Sequence, residues 1–156
     1  MATAESCTGG MVGAACTSIA GASQWYRGGV VAYDNQVKVD LLGVSDAAIA
    51  GHGAVSRIVA QAMAVGALGS CGSVWAVSTT GIAGPDGGSE SKPVGTVYVG
   101  VAARTGDGQV EASCRHFVLD GGRELIRQRA ASCALASLWC RLVRRPDTTL
   151  PWEVAE

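Results

Sequence analysis

Residues 94–119 read VGTVYVGVAARTGDGQVEASCRHFVL, and they contain two long runs of the kind that forms β-strands. The runs cover residues 94–103 and 110–119, and Thr105-Gly106-Asp107-Gly108 lies between them as a hairpin turn. In the first half of the chain, by contrast, helices alternate with short strands, which is typical of parallel pairing. The two patterns together predict one mixed sheet that an antiparallel pair closes.

The remaining elements are shorter. Further strands are predicted over residues 2–5, 30–33 and 73–78. Helices are predicted over residues 9–19, over 35–42 with Asn35 as N-cap and Gly43 as stop, and over 122–142. A fourth helix follows from the spacing of Val55, Ile58, Val59, Ala62 and Val65. In the last helix one face carries Leu135, Leu138, Trp139 and Leu142.

These elements predict a single-domain, three-layer α/β/α sandwich with a mixed sheet. We expect the domain to span residues 1–145. Pro146 and Pro151 interrupt the segment that follows, so residues 146–156 are expected to form a loosely held tail.

Composition excludes several classes of function. The 156 residues are 48% hydrophobic and 16% charged with a formal net charge of −1, so we expect neither disorder nor binding to nucleic acid. We find no apolar run long enough to cross a membrane and no signal peptide at the start. The six cysteines form no C-x-x-C pair, which argues against a metal site or a disulfide framework. We therefore expect a cytoplasmic protein without metal or cofactor.

A first candidate site is residues 5–10, ESCTGG, where a strand turns into a helix that begins with glycine. The amides of Thr8, Gly9 and Gly10 could bind an oxyanion there, and Ser6 could be a nucleophile. Alternatively, Ser6 or Thr8 only caps the helix. Cys7 is a rival nucleophile, since a helix N-terminus lowers a thiol pKa. The alternation of a strand indicates that Ser6 and Cys7 do not both face the cleft.

A second candidate is residues 33–38, YDNQVK. If Asn35 is the cap, Lys38 occupies the third helical position, where the helix dipole and partial burial would both lower its pKa toward that of a general base. Tyr33, at the preceding strand end, could share a proton with it. The alternative is a solvated lysine and a half-buried tyrosine.

A third candidate is the glycine-rich stretch that follows Thr79 and Thr80 and includes Gly81 and Gly84. Its backbone could approach a phosphate or carbonyl oxygen, although it matches neither the P-loop nor the dinucleotide motif. Otherwise it is a long surface loop. His52 and His116 lie outside all three segments, and we expect His116 to be structural. A serine–histidine–aspartate triad is therefore disfavoured, whereas a serine–lysine arrangement stays open.

Four segments together resemble the CinA C-terminal domain family of nicotinamide-nucleotide amidohydrolases. They are AESCTGG at 4–10, GGVVAYDNQVKVDLLGV at 28–44, HGAVS at 52–56 and TGIAGPDGGSESKPVGTV at 80–97. The resemblance implies hydrolysis of the carboxamide of nicotinamide mononucleotide without a metal. By position it implies Ser6 as nucleophile, Lys38 and Tyr33 as its proton-handling partners, and Thr80 beside the glycine-rich backbone.

The resemblance also leaves choices open. Lys92, Arg123 and the loop amides are candidates for binding the 5′-phosphate of the substrate. Relatives carry a helix before the first strand, which we do not find here, so we expect exposed apolar sheet surface and a homo-oligomer, with a dimer favoured. The alternative function is a nucleotide-binding or partner-binding module of the competence or damage-inducible type, without turnover.

Overall fold

The computed structural model describes residues 1–154 and contains one five-stranded sheet. Its strands are β1 (Ala2–Glu5), β2 (Gly28–Val31), β3 (Trp75–Gly81), β4 (Thr96–Arg104) and β5 (Val110–Val118). The order across the sheet is β2-β1-β3-β4-β5. β1 runs parallel to β2 and β3, whereas β4 is antiparallel to both of its neighbours. The predicted mixed sheet is confirmed.

Helices cover both faces of the sheet. They are α1 (Met11–Thr17), α2 (Asn35–Leu42), α3 (Asp46–His52), α4 (Arg57–Cys71) and α5 (Arg123–Leu142), with a 3₁₀ turn at Ala22–Gln24. One core cluster joins Val12 of α1 and Ile126 of α5 to Val99 of the sheet. A second joins Leu42 of α2 and Met63 of α4 to the opposite face. Two apolar layers around one sheet are the predicted three-layer sandwich.

The contact between α2 and α4 depends on a glycine. A Cβ atom at Gly66 would lie 2.0 Å from the carbonyl oxygen of Leu42, so only glycine lets α4 approach the end of α2 this closely. Gly43 ends α2 in the left-handed conformation, with φ 64°, as predicted. These two glycines fix the position of α2, which carries Lys38.

The structure corrects several boundaries. β3 extends to Gly81 instead of residue 78, so Thr79 and Thr80 belong to the strand. α1 is shorter than the predicted helix over residues 9–19. α3 was not predicted; the Ser45 side chain caps it by accepting from the amide of Ala48 at 3.1 Å. Short helices such as this one are missed because seven residues hold too little periodicity.

The last helix also differs from expectation. The sequence assigns Leu138, Trp139 and Leu142 to one face of α5, but Trp139 and Leu142 are 58% and 50% exposed, whereas Leu138 is buried. None of the helices formed by residues 1–154 combines the length and apolar character that crossing a bilayer requires.

The sequence predicts a loosely held tail over residues 146–156, and in the structure residues 146–154 make hydrogen bonds to β5. The Arg115 guanidinium donates to the carbonyls of Pro146 and Thr148 and pairs with the Glu153 carboxylate at 2.5 Å. The segment runs beside β5, where the amide of Val118 donates to the Trp152 carbonyl. These contacts give the edge strand β5 a partner along part of its length. Residues 155 and 156 of the predicted tail lie outside the described residues, and the domain end at residue 145 stays a prediction.

Candidate active site

A cavity of about 300 Å³ opens where the parallel strands β1, β2 and β3 end. Eight candidate residues from the sequence line it: Ser6, Cys7, Tyr33, Lys38, Thr80, Gly81, Gly84 and Arg123. The carboxyl ends of neighbouring parallel strands meet at one edge, which is where open α/β sheets bind ligands. The three candidate segments therefore contribute to one cleft, and the roles of their residues stay predictions.

Ser6 is the first residue after β1, and its backbone is held on both sides. Its amide donates to the Thr79 carbonyl at 3.0 Å, and its own carbonyl accepts from the Gly9 amide at 3.1 Å. Because these bonds fix the backbone of Ser6 to both β3 and the following turn, its side chain is presented to the cleft from a rigid support.

Lys38 is 1% exposed and reaches the cleft from α2. Its Nζ donates to the carbonyl of Tyr33 at 3.0 Å and to that of Asp34 at 3.5 Å. Burial lowers the pKa of this ammonium, and the nearby Asp34 carboxylate partly opposes the shift. Among the described residues, the ammonium makes no hydrogen bond to the Ser6 hydroxyl, and such bonds often form only when substrate is bound.

The start of α2 differs from the prediction. Asp34, not Asn35, is the N-cap: its side chain accepts from the Gln36 amide at 2.7 Å. Lys38 therefore occupies the fourth helical position instead of the third. The main cause of its lowered pKa is burial, whereas the sequence had also suggested the helix dipole, whose effect fades after the first turn.

Tyr33 contacts the site through two different groups. Its carbonyl accepts from Lys38, while its hydroxyl accepts from the Arg123 guanidinium at 2.9 Å. Arg123 is the first residue of α5, and its other terminal nitrogen donates to the Gly84 carbonyl at 2.7 Å. Arg123 thus connects the Tyr33 side chain to the glycine-rich loop across the cleft.

Thr80 and the glycines after it form the opposite wall. The Thr80 hydroxyl donates to the Ala54 carbonyl at 2.8 Å, so its proton is engaged within the protein. At Gly84, which has φ +78°, a Cβ atom would lie 2.6 Å from the Val94 side chain. The loop can therefore follow this path only with glycine there, and its backbone faces the cavity.

The oxyanion role of Thr8, Gly9 and Gly10 stays a prediction, and their surroundings bear on it. These residues do not line the cavity. The carboxylate of Glu5, which is 2% exposed, accepts from the amides of Gly10 at 2.9 Å, Val12 at 3.0 Å and Gly13 at 2.8 Å. Glu5 therefore occupies three amides at the start of α1, and one of them, that of Gly10, belongs to the predicted oxyanion site.

Glu5 was not recognised from the sequence as important. A signal was present, because a carboxylate near the start of a helix is stabilised by the unpaired amides there, and Glu5 lies five residues before the N-cap Gly10. Its carboxylate also accepts from the Thr8 hydroxyl at 2.7 Å, and Thr8 contacts the Thr79 hydroxyl at 2.7 Å. The first candidate segment therefore contains a buried polar network.

Cys7 does not fit the role of nucleophile. It is 5% exposed, and burial raises the pKa of its thiol to about 12, whereas the sequence had suggested a lowered value. Both Ser6 and Cys7 contribute to the cavity wall, contrary to the expectation from strand alternation, because β1 already ends at Glu5. All six cysteines are free thiols in the described chain.

Two other basic residues have structural partners. Lys92, a candidate for phosphate binding, donates instead to the carbonyls of His52 at 3.0 Å and Val55 at 2.7 Å, and it is not part of the cavity wall. His116 stacks on Tyr98 with ring centroids 4.5 Å apart, outside the cleft. Within residues 1–154, no three His, Cys, Asp or Glu side chains lie close enough to bind a metal ion.

Solved structures of proteins of the competence or damage-inducible class have a similar fold. The competence/damage inducible protein from Agrobacterium tumefaciens is 45% identical, with a TM-score of 0.81 over 89% of this chain and 82% of that one. A CinA superfamily protein from Klebsiella pneumoniae is 35% identical, with a TM-score of 0.83 over 92% of this chain and 86% of that one.

The profile of the CinA C-terminal domain matches residues 1–142, and the chain belongs to that family. A CinA-like protein from Synechococcus is 52% identical over 88% of this chain, which spans only about a third, 32%, of that relative's length. The nicotinamide-nucleotide amidohydrolase PncC from Escherichia coli is 47% identical, over 88% of this chain and 81% of PncC.

Proposed function

We propose that this chain is a nicotinamide-nucleotide amidohydrolase that acts in the cytoplasm and converts nicotinamide mononucleotide and water to nicotinate mononucleotide and ammonia. One observation carries the proposal: a serine and a buried lysine of lowered pKa line the same cleft at the carboxyl edge of the sheet. The 47% identity to PncC, whose name states this activity, supports the same substrate.

In the proposed reaction, Ser6 is the nucleophile and Lys38 the general base. The neutral Lys38 amine accepts the proton of Ser6 Oγ as Oγ bonds to the carboxamide carbon. The C–N bond of the tetrahedral intermediate then breaks, and the nitrogen leaves as ammonia after it takes a proton from Lys38, with Tyr33 as partner. Water hydrolyses the acyl-enzyme to the carboxylate and regenerates the Ser6 hydroxyl. Burial of Lys38 supports this role because it favours the neutral amine.

The oxyanion and the phosphate need separate partners. Backbone groups of Thr80, Gly81 and Gly84 are the proposed oxyanion contacts, since these residues line the cavity, whereas Glu5 occupies the amides of Gly10, Val12 and Gly13. Arg123 is the proposed partner of the 5′-phosphate because its guanidinium borders the cavity and suits bidentate binding of a phosphate.

Ammonia release from nicotinamide mononucleotide tests the proposal. We expect turnover in the purified chain and a loss of at least about 10³-fold in Ser6→Ala, because the variant lacks the nucleophile. Cys7→Ala is the matched control: this neighbouring residue also borders the cleft, but its thiol is disfavoured as an anion, so activity is expected to stay within about threefold.

Two results would contradict the proposal. Full turnover in Ser6→Ala would exclude Ser6 as the nucleophile. Calorimetric binding of nicotinamide mononucleotide without ammonia release would favour the alternative, a nucleotide-binding module of the competence or damage-inducible type.

We further propose that the chain forms a dimer. A second cavity of about 340 Å³ has an almost entirely apolar wall, formed by Met1, Trp25, Trp75, Leu138 and Leu142. Leu138 and Leu142 belong to α5, and Trp139 of the same helix is exposed. Contiguous apolar surface of this kind is typical of contact sites. Sedimentation equilibrium of the chain and of Trp139→Glu tests this; a monomeric parent chain contradicts it.

A further inference from the structure

We propose that Glu5 is a positioning residue for the reaction: its buried carboxylate holds the turn that presents Ser6 to the cleft. The inference rests on the proposed function, in which Ser6 is the nucleophile. Glu5 itself does not line the cavity, so it acts through the backbone of residues 6–13 and not by contact with the substrate.

Four donors converge on this one side chain. Glu5 Oε2 accepts from the Thr8 hydroxyl and from the amides of Gly10 and Val12, and Oε1 accepts from the amide of Gly13. The distances lie between 2.7 and 3.0 Å. A carboxylate that accepts this many hydrogen bonds is bound in one conformation, and so are the residues that donate to it.

The network continues from the turn to the neighbouring strand. Thr8 is fully buried and contacts both Glu5 and the hydroxyl of Thr79 in β3, at 2.7 Å each. The Thr79 carbonyl in turn accepts from the Ser6 amide at 3.0 Å. Ser6 is therefore enclosed in a ring of contacts that begins at Glu5, crosses to β3 and returns through the backbone.

The outer side of the same turn is held by α5. The Arg127 guanidinium donates to the carbonyls of Cys7 and Thr8, at 3.2 Å each. Glu5 thus binds the amides of this segment from within, and Arg127 binds its carbonyls from the other side. Loss of the carboxylate would disturb the turn, because the amides would then have only the low-polarity interior around them.

A glutamine at position 5 has the same shape but cannot reproduce these contacts. The NH₂ group of the glutamine would replace either Oε1, which accepts from the Gly13 amide, or Oε2, which accepts from the other three donors. In both orientations the NH₂ group would face at least one backbone N–H, and two donors cannot bond to each other. We expect Glu5→Gln to shift Ser6 and to lower kcat about 100-fold, while KM for nicotinamide mononucleotide stays within about threefold.

Thr8 supplies a gentler test that keeps the carboxylate. Thr8→Val has the same shape but lacks the hydroxyl, and Thr8→Ser retains it. We expect kcat to fall about tenfold in Thr8→Val and to stay at the parent value in Thr8→Ser. If packing alone mattered, Thr8→Ser would be affected more than Thr8→Val. Ser45→Ala, which removes the cap of α3 away from the cleft, controls for a general loss of stability.

The outcomes separate the two proposals. The positioning role is overturned if Glu5→Gln and Thr8→Val both fold and keep kcat within about threefold of the parent chain. If Glu5→Gln does not fold, the comparison of Thr8→Val with Thr8→Ser decides. Turnover that persists in Ser6→Ala overturns the proposed nucleophile instead. If the parent chain releases no ammonia at all, a crystal structure of Glu5→Gln still decides, because an unmoved Ser6 contradicts positioning and a displaced one supports it.

Discussion

The two strand-to-helix turns that border the cleft each bury a charged side chain, but they satisfy it to different degrees. At the β1–α1 turn, the Glu5 carboxylate accepts from four donors. At the β2–α2 turn, the three N–H bonds of the Lys38 ammonium face two carbonyl oxygens, one of them at 3.5 Å. The Glu5 carboxylate thus has four donors, whereas the Lys38 ammonium has two acceptors within the described residues.

This difference separates a structural role from a chemical one. A carboxylate that accepts from several donors fixed by the backbone is held in one conformation, so it can hold a fixed shape. An ammonium that is buried with few acceptors is shifted toward its neutral form, which is the form a general base needs. The comparison therefore predicts that changes at Lys38 act on chemistry, whereas changes around Glu5 act through geometry.

Replacement of Lys38 gives the largest expected effect. Lys38→Met removes the amine but keeps most of the apolar stem, so we expect ammonia release to fall at least about 10³-fold. The same change is expected to raise the free energy of unfolding at neutral pH by about 1 kcal/mol, because it removes a buried charge. Ammonia release and thermal unfolding, measured on the same sample, test both expectations.

The pH dependence gives an independent measure of the same residue. The pKa of Lys38 is lower in the folded state than its unfolded value of about 10.4, so the unfolded chain binds more protons between the two values. Stability of the parent chain should therefore rise with pH across that window, and this rise should be absent in Lys38→Met. Activity should fall as pH drops below the folded pKa. A methionine variant that is both less stable and still active would contradict the comparison.

Sequence patterns predicted the parts of the fold that local chemistry determines. The hairpin turn at residues 105–108, the glycine that ends α2 and the alternation of early strands with helices all follow from steric rules of the backbone. The candidate segments contained Ser6 and Lys38, and both residues line the cavity, while their roles stay predictions. Both predictions rest on short segments whose character does not depend on distant contacts.

What the sequence could not give depends on long-range contacts. The bond from Arg123 to Tyr33 and the contacts of Lys92 with His52 and Val55 each join segments that no local pattern relates. The exposure of Trp139 is of the same kind, since periodicity identifies a helix face but not what lies opposite it. The position of Asp34 as cap was missed because two adjacent residues are both good caps.

Two arginines of α5 each contact one of the two turns, so the same substitution at both compares the β1–α1 turn with the β2–α2 turn. The expected effects are smaller than that of Lys38→Met. Arg123 contacts the Tyr33 hydroxyl at the β2–α2 turn, and Arg127 contacts the carbonyls of Cys7 and Thr8 at the β1–α1 turn. Lysine cannot form such divergent pairs of bonds. For Arg123→Lys we expect KM to rise about tenfold through weaker phosphate binding, and for Arg127→Lys we expect a decrease of kcat of about threefold with unchanged KM.

Steady-state kinetics on both variants measures this contrast, with Arg104→Lys, at the end of β4, as an exposed control. The nucleoside that lacks the phosphate sharpens the result: it should bind the parent chain and Arg123→Lys about equally. An equal rise of KM in Arg123→Lys and Arg127→Lys would mean that the two turns do not have the separate roles argued for them.

A change at His116 is expected to have the smallest effect. Burial lowers the pKa of His116, as it does for Lys38, but His116 lies away from both turns. Burial, and then the charge of Arg57, lowers the pKa of its imidazole below 6.5, and its buried Nε2 has no hydrogen-bond partner within the described chain. Since the unfolded state binds more protons below about pH 6.5, stability should fall as pH drops from there through the folded pKa. His116→Phe keeps a ring to stack on Tyr98 and should remove this part of the acid loss without changing ammonia release. Urea unfolding of the parent chain and of His116→Phe at about pH 5 and about pH 7.5 measures this loss of stability. If the variant had the same pH dependence as the parent chain, burial at this site would not control the titration.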